Sequence, residues 1–147
     1  AWAETAEAYL GVTVHGFPNL FLLMGPNTGL GHNSMIFMIE AQARYALAAI
    51  EAMRARGLGA IDVRPEVQRA YNDALQARMA RTVWQSGCHS WYVAGPDARN
   101  ATTWPGFTFE YWARTRRFAL GDYDARAARA PTRSADVAAL RAQSASA

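Results

Sequence analysis

Lysine is absent: all fifteen basic residues are arginine, against twelve acidic ones, for a net charge of +3. Six of those arginines fall between positions 114 and 133, much of it Ala/Arg/Ser-rich, so the positive balance does not mark a nucleic-acid partner. Cysteine occurs once, at Cys88, which excludes an internal disulfide framework and fits a reducing compartment; a cytoplasmic location is expected. No stretch of eighteen apolar residues exists, so no membrane span is expected. The opening AWAETAEAYLG lacks the basic start and apolar core of a signal peptide. It also lacks an initiator Met and reads as the continuation of a longer chain. There is no G-x-S-x-G elbow and no P-loop. His32, Cys88 and His89 lack the spacing of a zinc site, so no metal is expected. Cys88 and His89 are adjacent; on a strand they point to opposite faces, and Cys88 reads as a buried structural residue.

The most informative stretch runs from position 17 to 40, FPNLFLLMGPNTGLGHNSMIFMIE. Residues 20–24, LFLLM, are apolar on both faces, the pattern of a buried strand. Residues 25–34 follow as a tight turn built from Gly25, Pro26, Asn27, Thr28, Gly29, Leu30, Gly31, His32, Asn33 and Ser34. Asn33 or Ser34 can cap a helix beginning at Met35. Ile36, Ile39, Ala43, Leu47 and Ile50 recur at helical spacing and predict its buried stripe; Glu40 and Arg44 form an i,i+4 pair, and Gly57 ends the helix. A strand feeding a glycine-rich turn and a helix is how α/β proteins build a ligand site, because N–H groups and the helix's positive end face what sits there.

Around this stretch, Val12, Thr13 and Val14 alternate like a strand, and residues 15–19 form a turn in which Phe17 packs underneath and His15 is solvated. Residues 61–63 are a short extended piece. Pro65 opens a second helix, roughly 65–81, with Val67, Tyr71, Leu75 and Met79 as its stripe. Residues 82–93 are β-rich, Gly95, Pro96 and Asp97 make a turn, and residues 99–111 form an aromatic loop. Trp84, Trp91, Trp104 and Trp112 read as core or pocket walls, and the last fifteen or so residues as poorly ordered. G-x-G-x-x-S at positions 29–34 invites a dinucleotide fingerprint, but Ser34 replaces the third glycine and no further βαβ repeat follows.

Three blocks in order carry a family resemblance. They are GFPNLF with GPNTGLGHNS and IEAQARY; then WQSGCHSWY at 84–92; then NATTWPGFT with YWARTRRF at 100–118. Over residues 1–123 the chain resembles the C-terminal part of the flavin-dependent monooxygenases of Baeyer–Villiger type. The resemblance implies an α/β fold: the C-terminal portion of a two-dinucleotide-binding-domain flavoprotein, with an incomplete sheet. It implies FAD and NADPH as cofactors, and O2 plus a small-molecule substrate as partners, together with the N-terminal part of the same enzyme. The implied reaction inserts one oxygen of O2 beside a ketone or aldehyde carbonyl through a flavin peroxide. N- or S-oxidation, a non-catalytic ligand-binding module, and a severed half without independent function are the alternatives. Residues 1–58 are expected to carry the flavin side, 59–123 the substrate and NADPH side, and 124–147 a loose tail. By resemblance, positions 25–34 cross the flavin edge, and no catalytic residue lies in this chain. Asn27, Thr28, His32 and Asn33 serve there either as ligand contacts or as side chains that satisfy the turn. Asn100, Trp104 and Pro105 belong to a mobile segment closing over NADPH and substrate, with Trp104 as contact or wall.

Overall fold

A computed structural model describes residues 5–31, 34–82, 93–94 and 99–128. The elements are α1 (Met35–Ala55), β1 (Leu58–Val63), α2 (Pro65–Met79), β2 (Val93–Ala94), β3 (Arg99–Asn100), α3 (Thr108–Thr115), a 3-10 turn (Leu120–Asp122) and β4 (Tyr123–Ala127). Among the described residues, β1 pairs antiparallel with β4, placing Ile61 beside Ala125 and Val63 beside Tyr123. β2 pairs antiparallel with β3.

Both expected helices form, and their punctuation explains where. Gly57, just past α1, has φ +62°, the left-handed conformation that ends a helix cheaply only for glycine. Ser34 is the N-cap of α1, without a side-chain capping bond; Pro65 opens α2, and Glu66 sits in its first turn. Glu40 and Arg44 approach to 3.4 Å as their spacing requires.

Two buried clusters hold the chain together. One joins Leu10 and Val12 to Tyr45 and Ala49 of α1, Ile61 and Val63 of β1 and Tyr123 of β4. The other joins Met38 and Ala41 of α1, Leu75 and Met79 of α2, Trp104 and Tyr111. Tyr71 packs against both.

Several expectations are corrected. The buried face of α1 carries Met38, Ala41, Gln42, Tyr45 and Ala49. The stripe chosen from spacing lies elsewhere, with Ile36 68% exposed, Leu47 59% and Ile50 43%. Both faces have helical period; the buried one includes Gln42 and a tyrosine, which weakened its apolar signal. Residues 20–24 form no strand, and Leu20, Leu23 and Met24 are exposed. A strand needs a neighbouring ladder; here the backbone of this segment is anchored by Leu22 N–H donating to Val12 C=O at 2.7 Å, and Met24 leaves extended geometry at φ +62°. Phe17 is exposed rather than packed beneath its turn. That turn is fastened to β1 instead, with Asn19 N–H donating to Ile61 C=O and Ile61 N–H donating to Asn19 Oδ1, both at 3.0 Å. Val12, Thr13 and Val14 are buried outside any extended strand, with one isolated bridge between Tyr9 and Thr13. The aromatic loop ends early, because α3 begins at Thr108 and buries Thr108, Tyr111 and Thr115 on one face. β4 takes residues 124–127 from the expected tail. The expected β segment at 83–92, the turn at 95–97, Cys88, His89, Trp84 and Trp91 lie outside the described residues, as do the last fifteen positions.

Candidate functional site

The turn of residues 25–31 and the loop of residues 99–105, separated by some seventy positions, are laced together. Asn27 N–H donates to Ala101 C=O and Gly29 N–H to Thr102 C=O, each at 2.8 Å. Trp104 N–H returns a bond to Gly29 C=O at 2.7 Å, closing a parallel bridge between Gly29 and Thr103. Asn27 Nδ2 donates to Asn100 C=O at 2.6 Å and to Thr103 C=O at 3.1 Å. Asn100 supports the loop from inside, its Oδ1 accepting from Thr102 N–H and Thr103 N–H, both at 3.0 Å. Thr28 Oγ1 donates to Gly25 C=O at 2.6 Å.

These bonds show what the polar side chains of the turn do within the chain. The side chains of Asn27 and Thr28 are buried and satisfy the turn. Asn27, at φ +56°, occupies a left-handed position that asparagine tolerates. The backbone N–H groups of Asn27 and Gly29 both donate within the chain. The glycines are explained the same way. A Cβ on Gly25 would lie 2.2 Å from Gly11 C=O, and one on Gly29 would lie 2.8 Å from Thr102 C=O. Their missing side chains let the turn pack on its own neighbours.

Between the turn and the loop runs an open apolar groove of about 450 Å³. It is lined by Leu22, Leu23 and Met24, by Gly25, Pro26 and Gly29 of the turn, by Ala101 and Thr102 of the loop, and by Ala6. Its size falls within the roughly 300–1,000 Å³ of small-molecule sites, and its lining is mainly apolar. Leu30 is half-buried against the second core, Gly31 and Ser34 are exposed, and Pro105 is half-buried. His32 and Asn33 lie outside the described residues.

Trp104 is only 3% exposed. Its Nε1–H donates to Phe107 C=O at 3.2 Å, and its ring meets Tyr111 edge-on at 5.2 Å. The guanidinium carbons of Arg78 and Arg114 stand 5.7 and 5.9 Å from the ring centroid. Glu110 bridges both arginines, bidentately to Arg78 at 2.5 and 2.8 Å and to Arg114 at 3.1 Å. The Arg78 pair, more than any other contact, holds the Glu110 carboxyl below its usual pKa. Trp104 is therefore packed inside the chain, where it anchors the loop.

Gln42 is the residue that spacing alone missed. It is fully buried on α1; its Oε1 accepts from Met24 N–H at 2.8 Å and its Nε2 donates to Tyr111 Oη at 3.1 Å. Tyr111 in turn donates to Leu10 C=O at 2.6 Å. Burial pushes the Tyr111 pKa up, against the opposing Gln42 bond, so the hydroxyl stays a neutral donor. Leu10 and Met24 are both non-glycine residues at positive φ, 55° and 62°. One amide thus reaches two strained backbone positions, one of them on the groove wall. The signal was present: the IEAQARY block carries Gln42 and Tyr45 on the face that the apolar count passed over.

Comparison with known proteins places this arrangement. No family model matches the sequence. Over 124 residues, 84% of this chain, it is 51% identical to a Baeyer–Villiger monooxygenase of Pseudomonas aeruginosa. It is 45% identical over 83% of its length to one of Streptomyces coelicolor. Over most of its length the chain is similar to one part of the Baeyer–Villiger monooxygenases. An FAD-binding monooxygenase of Aspergillus niger is a further relative, at 37% identity. The chain spans about a quarter of these Baeyer–Villiger monooxygenases, 24% of each of the two bacterial ones. An oxidized steroid monooxygenase bound to NADP shares the fold over 86% of this chain and 24% of that one, with TM-score 0.75 at 24% identity. OTEMO in complex with FAD and NADP covers 84% of this chain and 24% of its own length, with TM-score 0.72 at 25% identity. The fold thus matches one part of the two-dinucleotide-binding-domain flavoprotein monooxygenases. Among the described residues no helix is long and apolar enough to cross a membrane.

Proposed function

We propose that the chain is the C-terminal part of an FAD- and NADPH-dependent Baeyer–Villiger monooxygenase, and that the groove is the wall on which the flavin ring system rests. The observation that carries this reading is the meeting of two sequence blocks, the turn at 25–31 and the loop at 99–105, on one apolar groove. The groove fits a planar aromatic group. Leu22, Leu23, Met24 and Pro26 offer apolar surface to its face. Bound FAD supplies the O2 chemistry, at the expense of NADPH, that oxygenates a ketone or aldehyde next to its carbonyl.

The chain's own part is positioning. Gln42 fixes Met24, the turn fixes the loop, and Trp104 fixes the loop's far end. Residues 1–58 serve the flavin side, joined there by Ala101 and Thr102 of the loop, and the rest of 59–123 serves the substrate and NADPH side. A preceding part of the enzyme covers the exposed stripe of Ile36, Leu47 and Ile50 and the exposed Leu20, Leu23 and Met24. Apolar patches of this kind mark interfaces. Alone, the chain is inactive. A cytoplasmic location is our reading of the single cysteine.

The test is a chimaera in which this chain replaces the matching quarter of the Pseudomonas aeruginosa relative. FAD loading and NADPH-dependent conversion of a ketone to an ester are the expected result. A chimaera that loads FAD and oxidises NADPH but oxygenates only amines or sulfides contradicts the Baeyer–Villiger assignment.

A further inference from the structure

Beside Trp104, on the side lined by α2 and α3, lies a second cavity of about 100 Å³. Tyr71, Ala74 and Leu75 of α2, Arg78, Trp104 and Arg114 line it. Three observations mark it as more than a packing defect. The Tyr71 hydroxyl is buried and has no hydrogen-bond partner among the described residues. A buried hydroxyl without a partner is costly, so a polar occupant is called for. Two guanidinium groups line the cavity, and one carboxylate, Glu110, bridges them from outside its lining, which leaves one net positive charge. Glu110 takes two N–H donors from each arginine, Nη1 and Nη2 of Arg78 and Nε and Nη2 of Arg114, out of five on each. Burial raises the Tyr71 pKa while the charges of Arg114 and Arg78 act to lower it, consistent with their sharing one small space.

We propose that this cavity is a binding site for a small monocarboxylate, held between the Tyr71 hydroxyl and the Arg78 and Arg114 guanidinium groups with its alkyl end against Leu75, Ala74 and Trp104. A monoanion matches the single net charge. A planar carboxylate suits guanidinium donors, which form charge-assisted bonds with it. The room amounts to about three waters' share of liquid volume, enough for a group the size of acetate. The Glu110 bridge orients both arginines before any ligand arrives. Gly106 makes room for that bridge: a Cβ there would lie 2.6 Å from Glu110 Oε2 and 3.0 Å from Arg78 Nη2.

The experiment is a titration of the 147-residue chain with sodium acetate at constant ionic strength, followed through the Trp104 Nε1–H and Arg114 Nε–H resonances, with chloride and inorganic phosphate as parallel arms. The expected result is a saturable acetate shift with a dissociation constant on the order of a few millimolar. It should weaken at least tenfold in Arg114→Gln, whose side chain is half-exposed and whose replacement leaves the cores intact. Tyr71→Phe should weaken it as well. A linear, unsaturable response, or an acetate response unchanged in both variants, shows a water-filled cavity and overturns the proposal. Phosphate binding as tightly as acetate overturns the carboxylate assignment.

Discussion

Replacing Gln42 by leucine tests whether a single buried amide holds the groove wall in place. Leucine preserves most of the volume and removes both polar atoms. Two hydrogen bonds disappear: Met24 N–H to Oε1 at 2.8 Å and Nε2–H to Tyr111 Oη at 3.1 Å. Each bond contributes about 0.5–1.5 kcal/mol net, so the direct loss is about 1–3 kcal/mol. The lower half applies if exposed Met24 recruits water for its N–H and Tyr111 keeps its bond to Leu10 C=O. The upper half applies if Met24 stays at φ +62° with its N–H unpaired; relaxation would recover part of the roughly 1–2 kcal/mol that left-handed geometry costs a non-glycine residue, and would show as faster exchange. For a chain of this size, about 2 kcal/mol corresponds to a Tm fall of roughly 4–8 °C. Urea denaturation measures the stability, and hydrogen exchange at residues 22–24 reports the wall directly. A stability change below about 0.5 kcal/mol with unchanged exchange there would refute the role assigned to Gln42.

Three further outcomes follow from the geometry. Glu110→Gln removes the bridge between Arg78 and Arg114. Because Arg78 lowers the folded-state pKa of Glu110, the bridge contributes above the usual carboxylate pKa and is lost as pH falls through the folded value. The variant should therefore lose up to about 1 kcal/mol near neutral pH, and its acid-denaturation curve should be flatter below pH 5; a curve identical to the wild type's counts against the bridge. Gly29→Ala places a Cβ 2.8 Å from Thr102 C=O and should cost about 1–3 kcal/mol while accelerating exchange at Trp104 N–H; an unperturbed loop shows that the turn and loop are not packed as described. Leu47→Glu, on the exposed α1 stripe, should leave the fold of the chain unchanged and raise its solubility, yet reduce FAD loading of the chimaera; full loading means that the stripe is not an interface with the rest of the enzyme.

What could be read from sequence and what could not divides along physical lines. The helices α1 and α2 were legible because punctuation is local: Gly57 and Pro65 act on their own backbone angles. The buried face of α1 was not, because two stripes compete at helical period and only tertiary packing chooses the one with Gln42 and Tyr45. α3 was hidden by threonine and aromatic residues of modest helix propensity, and forms because Tyr111 is buried beside Trp104. β4 buries only Tyr123 of its five residues, so it carries no alternation, and its partner β1 lies some sixty positions away. At the site, the turn and loop were both visible as blocks. Their union was not, because it rests on backbone bonds that no side chain announces. Residues 20–24 misled for the opposite reason: they are apolar enough for a buried strand, and no described neighbour offers a ladder.

The most direct test of the central claim is hydrogen exchange of the chimaera with and without bound FAD. If the groove is the flavin's wall, the slowing within this chain concentrates at residues 22–31 and 101–104. Full FAD loading with unchanged exchange in both segments would contradict it and place the flavin elsewhere.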